Sequence, residues 1–329
     1  MTLVIDGLTK RYGSVVALDD VGFRVEPGQV FGFLGANGAG KTTAMRIVLN
    51  ILRADRGSVT WHGRSTQVLA RGTFGYLPEE RGLYPRMRVL DQLVFFAGLY
   101  GVPSGAARTS ALAWLERFRA IDLVDRRADE LSKGNQQKVQ FIAAILHDPE
   151  VVLMDEPFTG LDPVNVALLR DALIELAARG RTLVISTHQL ELVEALANSI
   201  AIIDRGRLLT SGSTREVRRR AGRSVVRLAV EGDRELAWLT ALPGVRRLGS
   251  GLEVTELSLT AGTDPQSVLR AALGRDAVVT CFEIADPSLE DIFIDLVGRP
   301  VGEDGSSPPG RQRSDSDPVE PSRVGRPAA

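Results

Sequence analysis

The sequence of 329 residues has little cysteine, no long apolar run and almost no net charge. Cys281 is the only cysteine, which excludes an internal disulfide framework and favours a reducing compartment. The longest apolar run, Leu93 to Val102, is about half of the roughly 20 residues that a membrane-spanning helix needs. A formal net charge of -1 provides no overall field that would attract nucleic acid or anionic lipid. The amino terminus, MTLVIDGLTKRYG, shows no secretory signal, so we expect a soluble, cytoplasmic protein.

The order of patterns along the chain predicts an α/β fold. From Leu3 to Trp61 the sequence is rich in strand patterns, and VFGFLG, Val30 to Gly35, is predicted to be a buried strand because apolar residues fill both faces. Two amphipathic helices follow, around Leu90 to Tyr100 and Thr109 to Arg119. After Leu131, helical patterns alternate with the strands VVLM, TLVIS and IAII, which predicts parallel strands joined by crossover helices.

A change of composition divides the chain near Arg215 to Arg223, a basic stretch without aromatic residues. We interpret this stretch as a solvated last helix and linker rather than a nucleic-acid patch. Residues 1–220 are therefore predicted to form a first domain, with a helical insertion at about residues 84–130. Residues 224–299 are predicted to form a small second α/β domain. Residues 300–329 are rich in Gly, Pro, Ser and mixed charge, so they are predicted to be disordered.

The second domain has one strand pattern and one helix pattern that are easily recognised. Alternation of Val226, Leu228 and Val230 predicts a strand. The segment DPSLEDIFIDLV closes the domain, with Ser288 and Asp291 spaced as a capping box at the start of a helix. That helix is predicted to present one apolar stripe, composed of Leu289, Ile292, Phe293 and Leu296.

A phosphate-binding loop is indicated by GANGAGKTT, which matches G-x-x-x-x-G-K-[ST] and lies between a buried strand and a helical pattern. Its glycines allow backbone N–H groups to surround phosphate, Lys41 can neutralise the β and γ oxygens, and Thr42 can hold Mg²⁺. The loop alone does not distinguish a kinase from a GTPase or a motor. The predicted nucleotide-binding residues are Gly35, Ala36, Asn37, Gly38, Ala39, Gly40, Lys41, Thr42 and Thr43.

Acidic residues and a histidine follow two later strands. The strand VVLMDEP ends in Asp155 and Glu156, and a carboxylate at the carboxyl end of a strand faces the ligand crevice of an α/β sheet. Asp155 is predicted to bind Mg²⁺, directly or through water, and Glu156 to orient or deprotonate the attacking water. His188 follows the strand TLVIS, where an imidazole can reach a γ-phosphate. Taken alone, this position also suits a capped surface histidine, which is the commoner case.

The segment LSKGNQQKVQ, Leu131 to Gln140, predicts a helix with a polar start. Ser132 is a suitable N-cap for a helix that runs to about His147, and Gly134 keeps side-chain bulk away from the first turn. Such a helix end offers unpaired N–H donors and a positive dipole, which together attract an anion. The phosphate-binding loop already surrounds the phosphates of its own nucleotide. The second anion site is therefore predicted to cap a nucleotide that another copy holds.

These segments together resemble the ATP-binding cassette (ABC) transporter ATPases. LSKGNQQKV resembles their signature motif, and GANGAGKTT, VVLMDEP, GLDP and STH match the other nucleotide motifs in order, within about Leu3 to Ser213. The resemblance implies a P-loop NTPase cassette with an antiparallel β subdomain, ATP and Mg²⁺, and head-to-tail pairing with a second copy or a paralogous cassette. It also implies roles for Tyr12, which would stack on adenine, His188, which would sense the γ-phosphate, and the residues in trans to ATP, namely Ser132, Lys133, Gly134, Asn135 and Asp162.

A closer resemblance is to the single-cassette ATPases of exporters similar to sodium and drug efflux pumps. In these proteins GYLPEERGLYP and a small C-terminal domain ending in PSLEDIF recur. Two positions depart from the wider family, because Glu79 and Asn135 stand where most cassettes carry glutamine. Glu79 is predicted to bind Mg²⁺ together with Thr42 and Asp155, since Mg²⁺ prefers hard oxygen ligands. The alternative, equally open from the sequence, is that Glu79 points to solvent and its loop acts through the backbone.

The resemblance implies the ATP-hydrolysing subunit of an ABC exporter, in which closure and reopening of a cassette dimer drive a separate membrane permease. That permease is expected to dock on the helical insertion and to hold the chain on the inner face of the cell membrane. No nucleic-acid partner is expected. The alternative is a soluble ABC ATPase that acts on ribosomes or DNA, which is disfavoured by a single cassette and by the lack of sustained heptads.

Overall fold

The computed structural model describes residues 2–80, 82–233, 236–250, 254–260 and 262–298. A four-stranded antiparallel sheet begins the chain, with strand order β2-β1-β4-β5. Its strands are β1 (Leu3–Tyr12), β2 (Val15–Val25), β4 (Arg56–Trp61) and β5 (Arg64–Ser65). This sheet confirms the strand-rich start and is the antiparallel subdomain that the family resemblance implies.

A six-stranded sheet forms the centre of the cassette, in the order β10-β9-β3-β8-β7-β6. Five neighbouring strands are parallel, which confirms the prediction, and β10 pairs antiparallel with β9. The register pairs Leu34 with Thr187 and Asp155 with Ser186, so three strands end at the same edge of the sheet. The strands are β3 (Val30–Leu34), β6 (Phe74–Leu77), β7 (Val151–Asp155), β8 (Thr182–Thr187), β9 (Ser199–Asp204) and β10 (Arg207–Ser213).

Six helices accompany these strands within the described part of the cassette: α1 (Lys41–Val48), α2 (Val89–Leu99), α3 (Ser104–Arg117), α4 (Lys133–Ile145), α5 (Pro163–Ala178) and α6 (Leu190–Leu196). The helix predicted from Thr109 starts five residues earlier, at Ser104. Its buried face consists of Ala107, Ala111 and Leu115, and alanine gives only a weak hydrophobic pattern. Within the described ranges, no helix has both the length and the apolar character needed to cross a bilayer.

The remaining elements are α7 (Thr214–Arg220), β11 (Ser224–Val230), β12 (Val245–Ser250), β13 (Thr255–Leu259), α8 (Gln266–Leu273), β14 (Val279–Ala285) and α9 (Leu289–Val297). The four strands form an antiparallel sheet in the order β12-β13-β11-β14. Val226, Leu228 and Val230 are buried in one cluster with Val268 of α8, which confirms their alternation. This cluster gives the second unit a core of its own.

The last helix, α9, does not share that core. Its capping box is confirmed, because the backbone N–H of Asp291 donates to Ser288 Oγ at 3.1 Å and the Asp291 carboxylate accepts from the backbone N–H of Ser288. The predicted stripe is wrong at Leu296, whose side chain is 43% exposed. The other three members are buried against the cassette, in a cluster with Leu34, Ala36, Leu190, Val193, Ile200, Ile202 and Val217. The division of the chain at residues 220 and 224 stays a prediction.

The basic stretch before the second unit is only partly solvated. Arg219 and Arg220 are exposed, as predicted. Arg218 instead forms an ion pair with Glu194 of α6, and the side chain of Arg223, only 9% exposed, lies 2.9 Å from Asp295 of α9. The interpretation as a solvated linker is therefore wrong for these two arginines, because acidic residues of α6 and α9 face them. The predicted disordered tail, residues 300–329, lies outside the described residues.

Candidate nucleotide site

The predicted phosphate-binding loop turns sharply between β3 and α1. Gly38 and Gly40 adopt positive φ angles of 75° and 108°, and a Cβ atom at Gly40 would lie 2.4 Å from the carbonyl oxygen of Ala17. Only glycine fits this conformation and this close approach. The N-cap of α1 makes no side-chain hydrogen bond, so the first turn of α1 presents backbone donors at its end, as an anion site requires. The loop therefore fits a phosphate group.

Lys41, the first residue of α1, has a buried ammonium group. Its Nζ donates to the carbonyl oxygens of Gly35 at 2.7 Å and Ala36 at 3.2 Å. The same Nζ lies 3.7 Å from Glu156 Oε1, and both side chains are less than a tenth exposed. The loop cation and the carboxylate predicted to activate water are thus direct neighbours inside the protein.

Asp155 lies at the end of β7 and is almost fully buried. Its two carboxylate oxygens accept hydrogen bonds from Thr42 Oγ1 at 2.6 Å and from Ser186 Oγ at 2.7 Å. Thr42 and Asp155 bring two hard oxygens together, as Mg²⁺ prefers. Among the described residues, no group of three or more His, Cys, Asp or Glu side chains could hold a metal. This sparse set fits Mg²⁺ that is bound mainly by substrate phosphates and water.

Glu156 is held in an unusual backbone conformation. Its φ angle of 49° is left-handed, which costs a non-glycine residue on the order of 1 to 3 kcal/mol, and its backbone N–H donates to the carbonyl oxygen of Ser186 at 2.8 Å. Its carboxylate accepts from Thr187 Oγ1 at 2.9 Å and from the backbone N–H of His188 at 3.1 Å. These bonds from β8 and from His188 offset the strain and fix the carboxylate beside Lys41.

His188 follows β8 directly, as predicted, and its side chain is 34% exposed. Its ring Nδ1 lies 2.8 Å from Glu156 Oε1. The imidazole is therefore part of the group around Glu156. His147 lies at the opposite edge of the sheet, stacked on Tyr100 at a centroid distance of 3.8 Å, and burial lowers the pKa of its imidazole.

The polar start of α4 has the predicted geometry. Ser132 is its N-cap, and Ser132 Oγ accepts from the backbone N–H of Asn135 at 3.3 Å. Ser132 and Lys133 are exposed, and Gly134 and Asn135 are half-buried. Within the part of the chain that the structure describes, no side-chain hydrogen bond or ion pair joins Ser132, Lys133 or Asn135 to the phosphate-binding loop.

Asp162 lies beside this helix start, at the beginning of α5. The backbone N–H groups of Asn165 and Val164 each donate to Asp162 Oδ1 at 3.0 Å, and the bond from Asn165 is the main reason that the pKa of the carboxyl is lowered. A Cβ atom at Gly134 would lie 3.6 Å from Asn165 Nδ2, so the starts of α4 and α5 are neighbours. The residues predicted to act in trans therefore lie together, with Ser132, Lys133 and Asp162 exposed.

Three glutamines of α4 were not singled out from the sequence, although each holds a loop of the site. Gln137 Nε2 donates to the carbonyl oxygen of Pro157, directly after Glu156, at 3.0 Å. Gln140 Nε2 donates to the carbonyl oxygens of Pro78 and Glu80, and Gln136 Nε2 to those of Ala128 and Leu131. The available signal for these roles is a run of polar residues on a helix that packs in the core. Such residues are buried only when they are hydrogen-bonded.

Glu79 lies in the loop that Gln140 holds, between the two carbonyl groups that accept from it. The Glu79 side chain is exposed and makes no hydrogen bond or ion pair with another described residue. Of the three predicted Mg²⁺ ligands, hydrogen bonding joins only Thr42 and Asp155. The pKa of the nearby Tyr76 hydroxyl is raised mainly by burial. The negative charge of Asp155 raises it further, and the charge of Glu79 contributes less.

Tyr12 ends β1 and is 50% exposed. Lys10 Nζ lies 5.7 Å from the centroid of its ring. An exposed ring is a surface on which a purine base can stack. The role of Tyr12 in binding adenine stays a prediction.

The parallel sheet, its phosphate-binding loop and the acidic strand end define a nucleotide-binding domain of the P-loop class. Residues 18–159 match the family described as ABC transporter, and residues 212–297 match the C-terminal domain described as ATP-binding protein DrrA1-3-like. Among similar proteins, YhaQ of Bacillus subtilis (strain 168), an uncharacterized ABC transporter ATP-binding protein, is 42% identical over 296 residues, covering 90% of this chain and 98% of the relative. The chain therefore belongs to the ABC transporter ATP-binding proteins, a family of ATPases.

Other relatives carry more specific names. Nod factor export ATP-binding protein I of Ralstonia nicotianae is 33% identical over 305 residues, covering 90% of this chain and 94% of the relative. Linearmycin resistance ATP-binding protein LnrL of Bacillus subtilis is 28% identical over 308 residues, covering 90% and 98%. A solved structure of the ATP-binding subunit of an ABC transporter aligns with a TM-score of 0.64 and 30% identity, over 68% of this chain and 94% of that one.

Proposed function

We propose that the chain hydrolyses ATP as the cassette subunit of an ABC exporter, in which two cassettes close around two ATP molecules and drive a separate permease. One observation carries the proposal: the buried carboxylate of Glu156, held by Thr187 and His188, lies 3.7 Å from Lys41 of the phosphate-binding loop. The names of relatives in Nod factor export and linearmycin resistance support an export function.

Hydrolysis in this proposal uses Glu156 as general base. A water molecule attacks the γ-phosphorus, its proton passes to Glu156, and the bond to the β-phosphate oxygen breaks to leave ADP and phosphate. Lys41 neutralises phosphate charge, and His188 lies where it can contact both Glu156 and the γ-phosphate. Thr42 and Asp155 would hold Mg²⁺, which when bound supplies positive charge to the phosphate oxygens.

The second half of each ATP site is proposed to come from the other cassette, either a second copy or a paralogue. Ser132, Lys133, Gly134, Asn135 and Asp162 are the contributing residues. Two properties support this proposal. Ser132, Lys133 and Asp162 are exposed, and within the described residues the side-chain hydrogen bonds of Ser132 and Asp162 stay at the starts of α4 and α5. A helix N-terminus that faces solvent in one molecule is available to a phosphate held by another.

The permease is proposed to dock on the helical insertion, residues 84–130. Tyr84, Phe95, Leu99 and Tyr100 are exposed there, and the ring of Tyr84 lies 5.9 Å from Phe95 and 5.7 Å from Phe96, centroid to centroid. Exposed aromatic residues in such a group are typical of a protein interface. The insertion also contacts α4, so a movement of the ATP-contacting helix can reach the docked permease. Docking would hold the chain on the cytoplasmic face of the membrane.

Reconstitution tests this function. The chain is purified with its candidate permease in lipid vesicles, and ATP hydrolysis and ATP-driven transport of candidate substrates are measured for the native chain and for Glu156→Gln. We expect transport with the native chain only, and hydrolysis that the permease stimulates. Hydrolysis that no membrane protein affects, but that ribosomes or DNA stimulate, would contradict the proposal and favour the soluble alternative.

A further inference from the structure

The carboxyl-terminal helix α9 belongs to the second unit along the chain but packs into the cassette. Leu289 and Phe293 are fully buried and Ile292 is nearly so, in the cluster that includes Leu190 and Val193 of α6. We infer that α9 positions His188, by holding in place the short helix that begins two residues after it. Phe293 and Leu289 are positioning residues in this sense, because they act on His188 through α6.

Two neighbouring elements, β3 and α9, help to fix the position of α6. On the inner side, Val193 packs against β3 so closely that a Cβ atom at Gly32 would lie 2.3 Å from Val193 Cγ1. On the outer side, α6 contacts α9. A helix of seven residues has little stability of its own and takes its position from its neighbours. Helix α6 also contacts β8, and Leu192 and Leu196 pack against the main cassette core, so displacement of α9 removes one of several surfaces that hold α6.

Residues of the candidate nucleotide site lie next to α9 in two places. Glu290 of α9 shares a cleft of about 280 Å³ with His188, Gln189 and Glu191. Ala36, in the phosphate-binding loop, is a member of the same apolar cluster as Phe293. The helix thus supports both the loop that follows β3 and the segment that follows β8.

The second unit holds α9 through polar contacts. The buried guanidinium of Arg223, directly before β11, lies 2.9 Å from Asp295 and donates to Ser258 Oγ of β13 at 3.4 Å. Arg218 of α7 forms an ion pair with Glu194 of α6. A movement of the second sheet relative to the cassette would therefore be carried to α6 by α9 and by the arginines at its border.

Histidine resonances can report the position of His188 without reference to catalysis, because the chain has only three histidines. The full chain is labelled at histidine, and the His188 imidazole signal is assigned by its loss in His188→Gln. We expect Phe293→Ala to shift or broaden the His188 signal and to leave His62 and His147 unchanged. Leu296→Ala, on the exposed face of the same helix, is the matched control and should leave all three signals in place.

The effect on catalysis rests on the proposed function, so it is measured separately. We expect Phe293→Ala to lower kcat roughly ten- to a hundredfold, because a displaced catalytic group loses alignment. Phe293→Leu should restore most of the rate, and it replaces the alanine variant if that variant does not fold. Unchanged His188 signals in Phe293→Ala, or in the leucine variant if its rate falls, would overturn the inference. A shifted His188 signal with a native rate would support the positioning and contradict the proposed role of His188.

Discussion

Two groups of polar residues in this cassette differ in how completely the chain satisfies them. At the edge of the central sheet, Asp155 and Glu156 are buried, and each of their carboxylate groups accepts at least two hydrogen bonds from the same molecule. At the starts of α4 and α5, Ser132, Lys133 and Asp162 are exposed, and among the described residues the side-chain hydrogen bonds of Ser132 and Asp162 stay within their own helix starts. The first group is hydrogen-bonded within one molecule, and the second faces solvent.

Under the proposed function, the buried polar site and the exposed one divide the reaction between them. Desolvated carboxylates must be paired inside the protein, so their geometry is fixed before any ligand arrives. A solvated helix start costs little when it has no ligand, because water satisfies its backbone donors. The proposed cycle of closing and reopening uses one half-site of each kind. Variants in the buried half should therefore affect chemistry, and variants in the exposed half should affect closure.

The largest effect is expected from Glu156→Gln in the buried half. The amide cannot accept the proton of the attacking water, so kcat should fall roughly 10²- to 10⁴-fold while ATP still binds and the closed dimer accumulates. Glu150→Gln, at the other end of the same strand, is the control, and it keeps an acceptor for Trp61 Nε1. Steady-state hydrolysis measures both variants. A near-native rate in Glu156→Gln would remove Glu156 from the mechanism.

In the exposed half, Gly134→Ala separates stability from function. The added methyl group meets no atom closer than 3.6 Å within the chain, so the thermal stability of the monomer should stay the same or rise slightly. Hydrolysis should fall roughly tenfold or more, because in the proposed dimer the methyl group would face the phosphates held by the other cassette. Gly105→Ala, at the same second position of α3 and in open space, is the matched control. Equal hydrolysis by both variants would argue against a ligand at the start of α4.

A smaller effect is expected where α4 connects the two halves. Gln140→Met and Gln136→Met each remove two hydrogen bonds to backbone carbonyls and should destabilise the protein by about 2 kcal/mol. Their kinetic effects should differ. Gln140→Met releases the loop of Glu79 and should raise the Mg²⁺ concentration required for hydrolysis, whereas Gln136→Met should leave that requirement unchanged. The same Mg²⁺ dependence in both variants would show that the Glu79 loop has no part in it.

The smallest effect concerns Glu79, whose side chain is exposed. If its carboxylate turns to the metal, it adds negative charge near the γ-phosphate, and closure depends more strongly on Mg²⁺ than with glutamine. ATP-driven dimerisation of the hydrolysis-deficient Glu156→Gln protein is measured against Mg²⁺ concentration, with Glu79 and with Glu79→Gln. We expect the glutamine variant to need less Mg²⁺. Superimposable curves would mean that Glu79 points to solvent throughout.

Much of the site could be predicted because its functional residues lie in short, contiguous segments of the sequence. The strand ends that carry Asp155 and His188 follow from apolar runs with polar residues at their carboxyl ends, and parallel pairing aligns them. Lys41 follows from the phosphate-binding loop motif. Ser132 is predictable as a cap because serine directly before a helix-forming segment accepts from the free backbone N–H groups of the first turn. These features depend on neighbours in sequence.

The features that the sequence does not predict depend on contacts between residues that are far apart along the chain. Gln140 contacts residues 60 and 62 positions away, and nothing in its own segment indicates that. The apolar stripe of α9 was recognised, but a stripe does not say which core it enters, and it enters that of the cassette. Arg223 looked like part of a solvated run because its acidic partners lie in a helix some seventy residues later.

Mixing two inactive variants tests the division between the halves most directly. Ser132→Arg places a bulky cation at the exposed half and leaves the phosphate-binding loop intact, whereas Lys41→Ala damages the loop and leaves α4 intact. Each homodimer should be inactive. In a mixed dimer, one site combines the intact loop of the first chain with the intact α4 of the second. We predict that hydrolysis returns in proportion to the mixed dimers formed, and its absence in a verified mixed dimer would contradict a site shared between two cassettes.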